Sequence, residues 1–284
     1  MNVHNGAMVK KRDRTYEPRL RRRLVLGGAL ALAAAPTWAA HRDLAVGVGP
    51  STRDRLRAAL AGLGGLGRFV RPGANVLIKP NAGYARVPEL GATTSPELLA
   101  EVIIAVRAAG AGTVRVADNP VDPAARAFDV SGLGAACRSL AAPLVMPGPA
   151  AFDAAIPIEG CALFRGALED VDVVINLANA KAHPLIGIGG ASVNLLGLLG
   201  GDRPALHPQL ARHISTVTDL IPAPLNLIDG ARVMLSQGPA AGTRSVLRHT
   251  PVLCAGTTAS AVDAWAWRHL LQRGDALPAF LSRT

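Results

Sequence analysis

The stretch Val171-Asp-Val-Val-Ile-Asn-Leu-Ala-Asn-Ala-Lys-Ala-His183 decides the fold. From Val171 to Leu177 it is a near-continuous apolar run, the pattern of a strand covered on both faces rather than one. It closes on Asn176, Asn179, Lys181 and His183. A second stretch repeats the design: Asn75-Val-Leu-Ile78 reads as a strand, stopped by Lys79-Pro80-Asn81 because proline cannot continue the ladder. Each lysine therefore follows a β-branched run, at the sheet edge where α/β proteins bind ligands. Beyond residue 39 the chain has 20 Arg but only these two Lys. Lysine differs from arginine in being a compact charge that can lose its proton when buried and act as a nucleophile. Two solvated strand ends are the plainer alternative.

Working outward, helices alternate with these strands. Val46–Val48 reads as a short first strand, and Ser51 caps a helix through Leu63 with Leu56, Leu60 and Leu63 at core spacing. Thr94 or Ser95, Pro96 and Glu97 form a helix start, followed by the apolar face Leu98, Leu99, Val102, Ile103 and Val106, with Gly110 as the stop. Thr113–Ala117 is the next strand, ending at Asp118. Strand, helix and strand make a βαβ unit with parallel strands. Leu133–Leu140 reads as a short helix and Leu144–Met146 as a strand. Downstream, His207–Leu220 reads as a helix, Leu225–Ile228 as a strand ending at Asp229, Val252–Ala255 as a strand, and Ala259–Leu271 as a closing helix. Asp263 near the start of that helix is a partner for its dipole. The expected fold is α/β, with two lobes at about residues 41–160 and 161–284 and mostly parallel sheets flanked by helices.

With 284 residues, half of them hydrophobic, the chain is long enough for a sizeable core and is globular. The net charge of +10 is uneven: residues 1–39 hold eight Lys/Arg against Asp13 and Glu17, which leaves +4 for the rest. No basic run with interleaved aromatics follows residue 40, so a nucleic-acid partner is not expected. Cys137, Cys161 and Cys254 are far apart and form no C-x-x-C. No iron–sulfur cluster is expected, and the residues identify no other cofactor. The cysteines read as three small buried hydrophobes, with one disulfide as the alternative.

Residues 1–39 read as an export signal. Arg21-Arg22-Arg23-Leu24-Val25 fits the twin-arginine pattern, Leu24–Ala35 is apolar but too short to span a bilayer, and Thr37-Trp38-Ala39 offers a cleavage site. The expectation is a protein of the periplasm or otherwise exported, handled by the twin-arginine machinery and not integral to the membrane once cleaved.

Candidate site residues lie at the strand ends: Lys79, Asn81, Asp118, Asn176, Asn179, Lys181, His183 and Asp229. The Gly-rich segment Ile186–Gly201 adds Ser192, a possible N-cap, and Asn194; its backbone N–H groups either cradle an anion or serve a tight packing crossing. Together these suit a small anionic ligand, a carboxylate or a phosphate. His183, with an ordinary pKa near neutrality, is a candidate general base, and Lys181 a Schiff-base or electrostatic group. Asp118 and Asp229 either hold a metal between them or cap turns.

The segments Val76-Leu-Ile-Lys-Pro-Asn81, Thr93-Thr-Ser-Pro-Glu97, Asp172-Val-Val-Ile-Asn176 with Lys181-Ala-His183, Asn194-Leu-Leu-Gly197, Leu227-Ile-Asp-Gly230, Gly238-Pro239 with Gly242, and Ala261-Val-Asp263 recur in this order in a known family. On them the chain resembles the domain-of-unknown-function family numbered 362. The resemblance implies an α/β fold and no settled activity. Two departures stand out: the ferredoxin cysteines of fused members are missing, and Val193 occupies a position where members commonly carry Lys. A more distant likeness, to the nickel-dependent lactate racemases, implies a racemase- or isomerase-like enzyme with a metal cofactor as one alternative. A non-catalytic exported binding protein is the other, and a structural partner of a membrane complex is a third.

Overall fold

The computed structural model describes residues 42–282. The expected signal at residues 1–39 lies outside them. Twelve strands are described: β1 (Leu44–Val48), β2 (Asn75–Pro80), β3 (Thr113–Ala117), β4 (Leu144–Val145), β5 (Ala154–Ala155), β6 (Cys161–Leu163), β7 (Val173–His183), β8 (Gly187–Gly189), β9 (Leu199–Gly201), β10 (Leu225–Met234), β11 (Leu247–Arg248) and β12 (Val252–Gly256). Eight helices join them: α1 (Thr52–Gly62), α2 (Pro96–Ala108), α3 (Ala124–Val130), α4 (Leu133–Ser139), α5 (Arg165–Leu168), α6 (Ala191–Asn194), α7 (Leu210–Leu220) and α8 (Ala259–His269).

The main sheet runs β1-β12-β10-β7-β2-β3-β4, with β8 added to β7 and β11 to β10. Its centre is parallel: β10, β7, β2, β3 and β4 pair in one direction. The β12 and β1 edge is antiparallel. The fold is α/β, as the apolar runs predict. Both expected segments, 41–160 and 161–284, contribute strands to this one sheet, and β7 of the second pairs directly with β2 of the first. A second, three-stranded sheet, β5-β6-β9, is antiparallel.

Strand alternation splits the core into two layers, since successive side chains point to opposite faces. Val76 and Ile78 of β2, with Ile175 and Leu177 of β7, pack under α1 and α2. Leu77 of β2, with Val174, Ala178 and Ala180 of β7, packs under α7 and α8. Ser51 and Ser95 cap α1 and α2 through their hydroxyls, as their sequence positions predict. The three cysteines are buried free thiols, so the disulfide alternative is not realised.

Several boundaries differ from expectation. Strand β10, expected to end at Ile228, runs to Met234, so Asp229 lies within it and pairs with Asn179. Strand β2 includes Lys79 and Pro80, which pair with Asn176 and Leu177. Strand β7 continues to His183, because β8 folds back on it and pairs Lys181 with Gly189 and His183 with Gly187. Lys181 therefore stands within a strand, not past its end. Residues 207–209, read as the start of a helix, belong instead to a separate 3-10 segment, Arg203–Gln209, before α7. Among the described residues no helix is long and apolar enough to cross a membrane.

Candidate functional site

Parallel pairing places Lys79 of β2 opposite Asn176 of β7, on the face covered by α6. Lys79 is 0 % exposed. Its Nζ donates to the Pro80 carbonyl at 2.7 Å and to Asn194 Oδ1 at 3.0 Å. Asp118 Oδ1 lies 2.8 Å away, an ionic contact without good hydrogen-bond alignment. The other carboxylate oxygen accepts from the Ala82 N–H at 2.6 Å. Burial lowers the lysine's pKa and the Asp118 charge opposes that. Asn194 Nδ2 donates to Asn176 Oδ1 at 2.7 Å, and Asn176 Nδ2 donates to the Ala191 carbonyl and to Asn226 Oδ1, each at 2.8 Å. A chain of three carboxamides thus runs beneath the lysine. Gly197 is required beside it: a Cβ there would fall 2.0 Å from Asp118 Oδ1 and 2.8 Å from Lys79 Nζ.

The odd-numbered positions of β7 turn to the other face. Lys181, 3 % exposed, donates to the Ala92 carbonyl at 2.7 Å, Asn81 Oδ1 at 3.1 Å and Asn179 Oδ1 at 3.3 Å. The Tyr84 ring lies over the ammonium, 5.6 Å from its centroid. Asn179 Nδ2 donates to the Gly91 carbonyl. Thr94 Oγ1 accepts from the Asn81 N–H and donates to the Leu177 carbonyl, each at 2.7 Å, so the loop between β2 and α2 is stitched to β7. No carboxylate pairs with Lys181 among the described residues. Burial, foremost, pulls its pKa down to about 7; the Asp118 charge opposes this and the Lys79 charge adds to it. The two lysines join one polar network from opposite faces of the sheet, not one open cleft.

The remaining predicted residues separate into three groups. His183, half-buried, accepts from the Leu185 N–H through Nδ1 at 3.3 Å. Burial, then the charges of Lys181 and His207, push its pKa down to about 4, not the near-neutral value expected of a general base. Asp229 is buried on β10, accepts from the Ala231 N–H at 2.9 Å, and has a pKa raised mainly by burial. It stands three strands from Asp118 in the order β10-β7-β2-β3, about 14 Å at about 4.8 Å per step, too far for one metal to bridge. No group of three or more His, Cys, Asp or Glu fit to hold a metal occurs among the described residues.

Ser192 is not the N-cap of α6; Gly190 is. The anion that this Gly-rich segment cradles belongs to the protein. Asp263 of α8 accepts from the Ala191 N–H at 2.5 Å and the Ser192 N–H at 2.8 Å. A Cβ at Gly190 would fall 2.1 Å from its Oδ1, so the glycine lets the carboxylate approach. Asp263 is 0 % exposed, and burial raises its pKa to about 6 despite these hydrogen bonds. Its expected role at the start of its own helix is thus replaced by capping α6, the turn that carries Asn194. Val193 is partly buried against the core.

Sequence reasoning missed Asn226, Tyr84, Thr94 and Arg203 as parts of the network. Asn226 left a signal, a carboxamide between Leu225 and Leu227 in a buried strand. Arg203 left none: it donates to the Asn119 carbonyl at 2.6 Å and also to the Pro120 carbonyl, holding the turn after Asp118.

Lys79, Asn81, Thr94, Asn176, Lys181, Asn194 and Asp263 of the network come from the recurring segments, while Asp118, Asn179 and Asn226 lie between them. Residues 76–268 match the family described as "Domain of unknown function (DUF362)". A relative, the "Thylakoid-associated protein sll1697" of Synechocystis sp., is 31 % identical over 198 residues, which cover 66 % of this chain and 61 % of that protein. The chain thus spans less than two thirds of that relative's length. No solved structure matches. With the family match extending over most of the chain and over β2, β7, α6 and α8, which carry the network, this protein belongs to the DUF362 family.

Proposed function

We propose that this DUF362 protein, exported through the twin-arginine route, binds and transforms a small anionic metabolite, a carboxylate or a phosphate, with Lys181 as the group that exchanges a proton with it. The observation that carries this reading is the contrast between the lysines. Lys79 has a carboxylate beside it and serves the fold. Lys181 is equally buried but surrounded by neutral oxygens and a phenol ring. A buried cation without a counter-ion is costly, and enzymes use that cost to bring a lysine to a neutral pKa. An anion reaching Lys181 past Tyr84 supplies the missing charge. His183, held neutral, faces the same end of β7 as a hydrogen-bonding group rather than a base. Asn81 and Asn179 orient the amine, while Asp118 tempers the charge of the cluster.

Export is supported by Arg21-Arg22 and the short apolar run after them. The site is tested by following the Lys181 amine in ¹³Cε-lysine NMR spectra while inorganic phosphate or pyruvate is added. An anion that pairs with the amine favours its charged form and raises its titration midpoint. A midpoint unmoved by phosphate, pyruvate and a series of small carboxylates contradicts the reading.

A further inference from the structure

Two adjacent threonines on the loop before α2 are treated differently by the fold. Thr94 Oγ1 both accepts and donates, to Asn81 and Leu177. Thr93 is also buried, 3 % exposed, yet its Oγ1 has no hydrogen-bond partner among the described residues. An unsatisfied buried hydroxyl is destabilising, and native structures hold few of them without a reason. The location is informative. Thr93 directly follows Ala92, whose carbonyl receives the Lys181 ammonium at 2.7 Å, and Gly91, whose carbonyl receives the Asn179 amide. The loop therefore carries an unpaired hydroxyl one residue from the carbonyl that receives an ammonium without a carboxylate. Ser95 next to it is used as the cap of α2, accepting from the Leu98 N–H, so the hydroxyl of Thr93 is the free one of the three.

We propose that Thr93 is a ligand-binding residue of the Lys181 site, donating its hydroxyl to an oxygen of the same carboxylate or phosphate that pairs with the lysine. This rests on the reading of Lys181 given above and narrows it. It sets the anion on the α2 face of the sheet, away from Lys79. It also gives a role to the first residue of Thr93-Thr-Ser-Pro-Glu97, which helix capping does not use.

Thr93→Val is nearly isosteric and removes only the hydroxyl, and Thr93→Ser keeps it. Both are compared with the unaltered full-length chain by thermal melting and by titration with inorganic phosphate and pyruvate, read from the Lys181 ¹³Cε signal. The expected result is a Thr93→Val protein that melts no lower than the original in the absence of anion. It binds the effective probe about 10- to 100-fold more weakly, the loss of one hydrogen bond to a charged acceptor. Thr93→Ser binds within a few-fold of the original. A lowered melting temperature for Thr93→Val overturns the proposal, since the hydroxyl then has an internal partner. So does equal affinity of the original and Thr93→Val proteins, which leaves Lys181 as an anion site without Thr93. If neither probe moves the Lys181 signal of the unaltered protein, the Lys181 reading fails and this proposal with it.

Discussion

Replacing Asp118 by Asn tests the assignment of Lys79 as a structural charge. Asparagine keeps the shape and an oxygen for the Ala82 N–H, but leaves Lys79 at 0 % exposure with no counter-ion. Breaking a buried pair by removing one partner typically costs about 3–5 kcal/mol, because a charge is stranded in a poor solvent. The lysine has an escape, which sets a ceiling: it can give up its proton. From its ordinary 10.5, deprotonation at pH 7 spans roughly 3.5 pH units at about 1.4 kcal/mol each, or about 5 kcal/mol. At pH 9 the same ceiling is only about 2 kcal/mol. Asp118→Asn should therefore lose about 3–5 kcal/mol in urea unfolding at pH 7 and no more than about 2 at pH 9. The double variant Lys79→Met, Asp118→Asn should lose less at pH 7 than the single one, since no charge remains to strand. A single variant within about 1 kcal/mol of the original at pH 7, or a loss that does not shrink with pH, would refute the argument.

Other consequences are equally direct. Gly197→Ala drives a Cβ into the Asp118 carboxylate and should cost about 1–3 kcal/mol or more by urea unfolding, whereas Gly67→Ala, with open space around it, should leave stability within about 0.5 kcal/mol. Val174→Asp puts a charge into the core at a site 6 % exposed and should abolish cooperative unfolding as seen by circular dichroism. Asp263 binds its proton more tightly folded than unfolded, so its contribution to stability falls as pH rises from about 4 to about 6. His183, pushed down to about 4, contributes the opposite slope in that window, so the measurement is the difference in unfolding free energy between the original and Asp263→Asn proteins, which should decline from pH 4 to 6. Replacing Arg21 and Arg22 together by Lys should trap precursor in the cytoplasm, checked by fractionation and immunoblot.

Much of the fold was legible because its signals are local. The apolar runs at Asn75–Ile78 and Val173–Leu177 are parallel strands, and Ser51 and Ser95 are caps whose chemistry is contained in a few residues. The strand limits were less so. The extension of β7 through Lys181 to His183 depends on β8 folding back, a contact between segments that no single-strand pattern encodes. Part of the candidate set was legible, though not its roles, while His183 and Asp229 stand apart from the network. Lys79, Asn176 and Asn194 meet as expected, yet they form a buried support in which each donor meets an oxygen of the protein. Asp263 shows why: its partner lies 71 residues away across a helix packing, so its sequence neighbourhood pointed only to its own helix. The segment Ile186–Gly201 left an anion cradle and a packing crossing both open; its N–H groups hold an anion that is a side chain of the same protein, at a glycine that permits the close approach.

The central claim is that one lysine of this network supports the fold while the other is a near-neutral amine. The most direct measurement is a ¹³Cε-lysine NMR titration of the protein, with signals assigned by their loss in Lys79→Arg and Lys181→Arg variants. The account predicts that the Lys181 signal titrates with a midpoint at about 7. Its unfolded counterpart binds the proton up to about 10.5, so stability should also rise with pH between these values as the folded amine stays neutral. A Lys181 midpoint near 10, with the ammonium intact across the physiological range, would contradict it.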